Sequence, residues 1–152
     1  MSDGVHLPPT TRDMQLLNWF LDWLRGRHAE AGRYVSEKSF QKNLSRQLAM
    51  APRTLAQMSD HGVTDFMQLK LEYFFYTDAE SKAQALTYCL KERGYDVEMG
   101  RSAHDTGLML VTGWTNPIEM TDDAVLAWTE SMCRLGYEHD CEFDGWGTNV
   151  PD

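Results

Sequence analysis

The chain has 152 residues, of which 42% are hydrophobic and 11% aromatic, enough for one ordinary domain with a proper core and too apolar for global disorder. Residues 1–60 hold 8 Lys/Arg against 6 Asp/Glu, whereas residues 61–152 hold 6 against 17, so the net charge of −9 sits in the C-terminal part. Such a part repels nucleic acid and anionic membrane and favours basic protein surfaces.

No basic segment followed by an apolar run opens the chain, and the longest greasy stretch, Leu16 to Leu24, is broken by Asn18 and Asp22 and is too short to span a bilayer. Cys89, Cys133 and Cys141 are odd in number and include no CxxC pair, which fits free thiols in a reducing cytoplasm. A cytoplasmic protein away from the membrane is expected.

Residues 1–10, with Pro8-Pro9, read as a loose leader. From Asp13 to Arg27 the pattern is helical, with Gln15, Asn18, Asp22 and Arg25 on one narrow polar face and Trp19, Phe20 and Trp23 within a wide apolar arc. That arc must be covered, either by the chain itself or by a partner or a second copy through Trp19 and Trp23. A second helix is predicted from Glu37 to Met50, with Phe40, Leu44 and Leu48 on one stripe. Lys38, Lys42 and Arg46 form a basic stripe on another face, a secondary interaction surface or simply a solvated one. Pro52 suits the first turn of a third short helix, Arg53 to Asp60, closed by Gly62.

From Phe66 the texture changes. Leu69, Leu71, Tyr73 and Phe75 alternate with Lys70, Glu72, Phe74 and Tyr76 as a strand requires. Thr77-Asp78-Ala79-Glu80 is a capping-box pattern opening a helix whose inner face is Ala79, Ala83, Leu86 and Leu90, stopped by Gly94. Tyr95, Val97 and Met99 alternate in a second strand, and Leu108 to Trp114 form a third. Thr121 caps another helix, lined by Val125, Trp128, Met132 and Leu135 and closed by Gly136. A last strand, Tyr137 to Phe143, points Glu138, Asp140, Glu142 and Asp144 one way and Tyr137, His139, Cys141 and Phe143 the other.

A weak repeat links the two halves, since Lys91–Val97 and Cys133–His139 both run helix end, Gly, Tyr, acidic residue, strand. The expected fold is α+β, a ferredoxin-like βαββαβ two-layer sandwich over residues 66–152 with a four-stranded antiparallel sheet, preceded by a helical extension over residues 1–65. Both helices then cover one sheet face and leave the other free unless something packs on it.

With the elements placed, Leu71–Tyr76, Gly94–Val97 and above all Cys141-Glu142-Phe143-Asp144-Gly145-Trp146-Gly147-Thr148 resemble the RraB family, regulators of ribonuclease E activity, over about residues 66–149. The resemblance implies a ferredoxin-like fold and a small acidic cytoplasmic protein that binds ribonuclease E and inhibits RNA cleavage by contact, without being a nuclease. This sequence differs from the family's pattern by about 65 helical residues in front and by having no long acidic tail after Asp152.

The expected docking surface is the acidic ladder Glu138, Asp140, Glu142 and Asp144, with Phe74, Tyr76 and Trp146 supplying aromatic area against a basic partner. The same ladder also reads as a solvated strand kept acidic against edge pairing. The resemblance to RraB-like domains also allows an immunity protein neutralising a toxin, and the carboxylates allow a cryptic carboxylate-dependent hydrolase. Enzyme signals are poor. His139 and Cys141 share a strand face without a second pair of metal-ligand spacing, and Cys133 with His139 is the remaining nucleophile–base pairing. Carboxylates two apart on a strand lie roughly 6.5–7 Å apart, wide for one ion. No P-loop, GxGxxG or nucleophile elbow occurs. The protein is therefore expected to be a binding regulator without catalytic residues, metal or cofactor.

Overall fold

The computed structural model describes residues 32–150. The leader at residues 1–10 and the apolar helix predicted at Asp13–Arg27, with Trp19 and Trp23, lie outside them. Tyr34–Asp152 form one compact unit. Its elements are α1 (Glu37–Ser59), β1 (Gln68–Leu69), β2 (Glu72–Thr77), α2 (Glu80–Glu92), β3 (Asp96–Arg101), β4 (Met109–Trp114), β5 (Ile118–Glu119), α3 (Asp122–Glu138) and β6 (Glu142–Gly147). The class is α+β. A four-stranded antiparallel sheet has the order β3-β4-β2-β6, and β1 pairs with β5 in a separate two-stranded sheet.

Alternation decides which sheet face is the core. Tyr73, Phe75 and Thr77 of β2, and Met109, Val111 and Gly113 of β4, are buried, while the residues between them are half-exposed. Against the buried face lie Ala83, Leu86 and Leu90 of α2 and Val125, Trp128 and Met132 of α3. Tyr73 threads beneath Gly113 so that its hydroxyl donates to the Asp96 carbonyl at 2.7 Å. A β carbon at Gly113 would stand 1.8 Å from that carbonyl oxygen, so close an approach that only glycine fits.

The helices differ from expectation at their ends. The two predicted helices over Glu37–Asp60 are one, with Pro52 inside it. Its buried stripe of Phe40, Leu44, Ala51, Leu55 and Met58 runs through the proline, and this packing outweighs the roughly 3 kcal/mol that an interior proline costs. α1 joins the same core as the sheet, packing along α3 and reaching β6. Phe40 stacks on Tyr137 with ring centroids 4.4 Å apart, and the Asn43 side-chain amide donates to the Phe143 carbonyl at 2.8 Å.

The capping box at Thr77 does not form. The N-cap of α2 is Ala79, and the Thr77 hydroxyl donates instead to the Asp140 carbonyl at 2.9 Å. Thr121 caps α3 as predicted, accepting from the Ala124 amide. Gly136 does not end α3, which continues to Glu138. A β carbon there would meet the Cys141 carbonyl oxygen at 2.7 Å and the Phe75 ring at 2.9 Å, so this glycine serves close packing within the helix.

Candidate functional site

The largest correction concerns the last strand. Predicted over Tyr137–Phe143, it forms instead over Glu142–Gly147, because Tyr137 and Glu138 complete α3 and Asp140 turns the chain with φ +56°. The four-carboxylate ladder therefore does not exist as a ladder. Glu138 ends α3, exposed beside Glu130 and Arg134. Asp140 is 8% exposed and lies in the turn.

Asp140 works inside the fold. One carboxylate oxygen accepts from the Val35 amide at 2.8 Å, and the other accepts from the Tyr34 amide at 2.8 Å and from Lys82 Nζ at 2.6 Å. Lys82 also reaches Asp78 at 2.7 Å. Burial by itself raises the Asp140 pKa, but the hydrogen bonds from Lys82, Val35 and Tyr34 outweigh it and hold the carboxyl below its ordinary value. Burial likewise opposes the charge on Lys82, and the bonds to Asp140 and Asp78 more than restore it. The constellation ties the start of the compact unit to α2 and to the α3–β6 turn.

A β-bulge re-aims the rest of the strand. Phe75 pairs with Phe143 and Phe74 with Gly145, which leaves Asp144 as the extra, exposed residue. Glu142 before the bulge faces the same side as Tyr76. Trp146 after it stands opposite Tyr73 on the helix side, partly buried against the core and edge-on to Trp128 at 6.4 Å. Trp146 is thus a packing residue here.

Phe74 and Tyr76 do project from the face opposite α2 and α3. Cross-strand register assembles that face: Glu72 beside Trp114 beside Asp96, Phe74 beside Thr112 beside Glu98, and Tyr76 between Leu110 and Glu142. These positions carry four carboxylates, Glu72, Asp96, Glu98 and Glu142, and neither Lys nor Arg. A groove of about 710 Å3 lies along Glu72, Phe74, Asp96, Glu98 and Trp114, with Lys91 of α2 also in its lining. A recess of about 290 Å3 lies between Tyr34, Tyr76, His104, Asp105, Glu142 and Asp144. Burial, reinforced by Glu142, Asp78, Asp105 and Asp144, raises the Tyr34 pKa, a sign of the negative field there. Glu72, Asp96, Glu98 and Trp114 were not in the sequence-derived set. The alternation of β3 and β4 carried them, but only strand order brings them beside Phe74.

The other candidates separate. Lys38, Lys42 and Arg46 are all exposed on α1, with Arg46 donating to Asn43 at 2.8 Å. His139 caps the end of α3, and its ring pairs with Cys89, Nε2 to Sγ 3.3 Å, while Cys141 meets only its backbone carbonyl. Among the described residues no group of three or more His, Cys, Asp or Glu is arranged to hold a metal ion, and no helix is long and apolar enough to cross a membrane.

No curated protein matches this chain. The family described as regulator of ribonuclease activity B, RraB, matches residues 49–148, a stretch that contains the whole of both sheets, both covering helices and the second half of α1. With about two-thirds of its length matched, this chain belongs to the RraB family, regulators of ribonuclease activity.

Proposed function

We propose that this chain regulates a ribonuclease of the ribonuclease E type by docking the acidic, aromatic face of its sheet on a basic surface of that enzyme and occluding it, without catalysing a reaction itself. Family membership supports the regulator role. The observation that carries the docking reading is the makeup of the face, where the strand positions Glu72, Asp96, Glu98 and Glu142 surround Phe74, Tyr76 and Trp114, four carboxylates against Lys70 and Lys91 at its margin.

The strand order β6-β2-β4-β3, which is fourth, first, third and second of the main sheet in chain order, reads as a ferredoxin-like split βαβ sandwich. RNA-binding domains of this topology use the corresponding face with aromatics and basic residues. Here the aromatic platform is present, but the charge repels phosphate and suits Lys and Arg of a protein. Asp140 and Trp146 drop out of the docking set, and Glu142 and Asp144 stay in it.

The test is the affinity of the full chain for ribonuclease E of the same host, measured across a salt series, together with inhibition of RNA cleavage. Glu98→Lys combined with Glu142→Lys is expected to weaken binding by about tenfold or more and to flatten the salt dependence. Glu92→Lys, an exposed change in the last turn of α2, serves as the control and should leave both unchanged. If the double variant binds and inhibits as the wild type does, the acidic-face mechanism is wrong.

A further inference from the structure

Two features of α2 meet the same turn. Lys82 and Cys89, seven residues apart and so on one side of the helix, reach Asp140 and His139 respectively. The three thiols differ sharply in setting. Cys133 and Cys141 are 2% and 1% exposed, and burial pushes their pKa values up to about 12 and about 11, so both stay protonated and shielded. Cys89 is partly exposed, with its sulfur 3.3 Å from His139 Nε2. An imidazole within hydrogen-bonding distance of an accessible thiol is the arrangement that activates a sulfur nucleophile.

We propose that Cys89 and His139 form a reactive thiol site that takes a low-molecular-weight disulfide, and that the adduct loosens the turn holding Asp140. In the tautomer protonated on Nδ1, His139 Nε2 accepts the Cys89 thiol proton. The thiolate attacks one sulfur of the disulfide, and a new bond forms from Cys89 Sγ as the reagent's S–S bond breaks. The departing thiolate takes the electron pair and then the proton from the imidazolium. Cys89 is oxidised and the departing sulfur reduced, with no other oxidant required. A mixed disulfide on Cys89 cannot share the space His139 occupies at 3.3 Å, so the side chain must swing away and carry strain into its neighbour Asp140. Asp140 holds the Tyr34 and Val35 amides, which makes them reporters of the event.

The experiment treats the native full chain with oxidised glutathione and follows intact mass, peptide position and amide exchange. The expected result is one adduct, on Cys89, absent in Cys89→Ser and formed about tenfold more slowly in His139→Gln. Wild-type Cys89 should react faster in the native chain than in the urea-unfolded chain, a readout that needs no variant and survives if His139→Gln fails to fold. Amide exchange at Tyr34 and Val35 should quicken in the adduct. Equal labelling of Cys133 or Cys141, or a native Cys89 that reacts no faster than in the unfolded chain, would overturn the activated-thiol assignment. Unchanged exchange at Tyr34 and Val35 would overturn the link to Asp140.

Discussion

Replacing Asp140 separates its role inside the fold from a role at the surface. In Asp140→Asn one carboxylate oxygen becomes an amide nitrogen. Turned one way, the side chain keeps the bonds from Tyr34 and Lys82 and aims its NH2 at the Val35 amide; turned the other way, it keeps Val35 and loses the other two. A buried donor left facing a donor costs about 1–3 kcal/mol. Loss of the charge opposite Lys82 adds about 1 kcal/mol at most, because the Lys82 side chain is 28% exposed and its pairing is screened. The expected loss is about 1–4 kcal/mol at pH 7.

Asp140→Gly keeps the positive φ but supplies no acceptor, and Asp140→Ala adds about 1–2 kcal/mol for the left-handed backbone. The predicted order of stability is wild type, Asn, Gly, Ala, read from urea unfolding followed by tryptophan fluorescence. Because the Asp140 pKa is held below its ordinary value of 3.8, its contribution is complete above that pH and is lost as pH falls through the depressed folded value. The gap between wild type and Asn should therefore close on acidification, while Lys82, raised above 10.5, stays charged throughout. An Asn variant within about 0.5 kcal/mol of wild type, or a gap indifferent to acid, would refute the clamp.

Gly113→Ala should cost about 3 kcal/mol or more, since the new carbon must displace the Asp96 carbonyl and the Tyr73 hydroxyl 2.6 Å away; thermal unfolding checks it, and a loss below about 1 kcal/mol would contradict the close crossing. Asn43→Ala should cost about 1–3 kcal/mol by orphaning the buried Phe143 carbonyl, and hydrogen exchange should rise along α1.

Much of the sheet was legible because period-two alternation is a local signal. The alternation that sets Tyr73 and Phe75 against Phe74 and Tyr76 holds in the structure, with the first pair buried and the second on the outer face. The errors arose where a distant partner decides the local geometry. Asp140 looked like one more outward carboxylate, and its buried role depends on Tyr34 and Val35, more than 100 positions earlier. Gly136 looked like a helix stop, and its reason is the approach of Phe75 and Cys141. Trp146, flanked by two glycines that suit either an anchored core indole or a docking residue, stands on the core side because a bulge at Asp144 adds one residue to the count, which alternation cannot foresee. The small sheet of β1 and β5 joins two-residue strands that no periodicity reveals.

The acidic face invites a simpler account, in which carboxylates guard exposed edges against pairing with another chain. That account covers Asp96 and Glu98, which stand on the edge strand β3, and Glu142 on the opposite edge β6. It does not cover Glu72. β2 is an interior strand with β4 on one side and β6 on the other, so it has no free edge to protect. Its outward position beside Trp114 would pack more favourably with an apolar or β-branched residue. A carboxylate there, half-exposed next to an indole and two strands from Asp96, makes no ion pair with Lys91 of the same groove and adds repulsion against Asp96. Docking on a basic surface accounts for the interior and edge carboxylates together. A Lys or Arg arriving over Trp114 would meet the indole face and two carboxylates at once, drawing on cation–π attraction as well as charge.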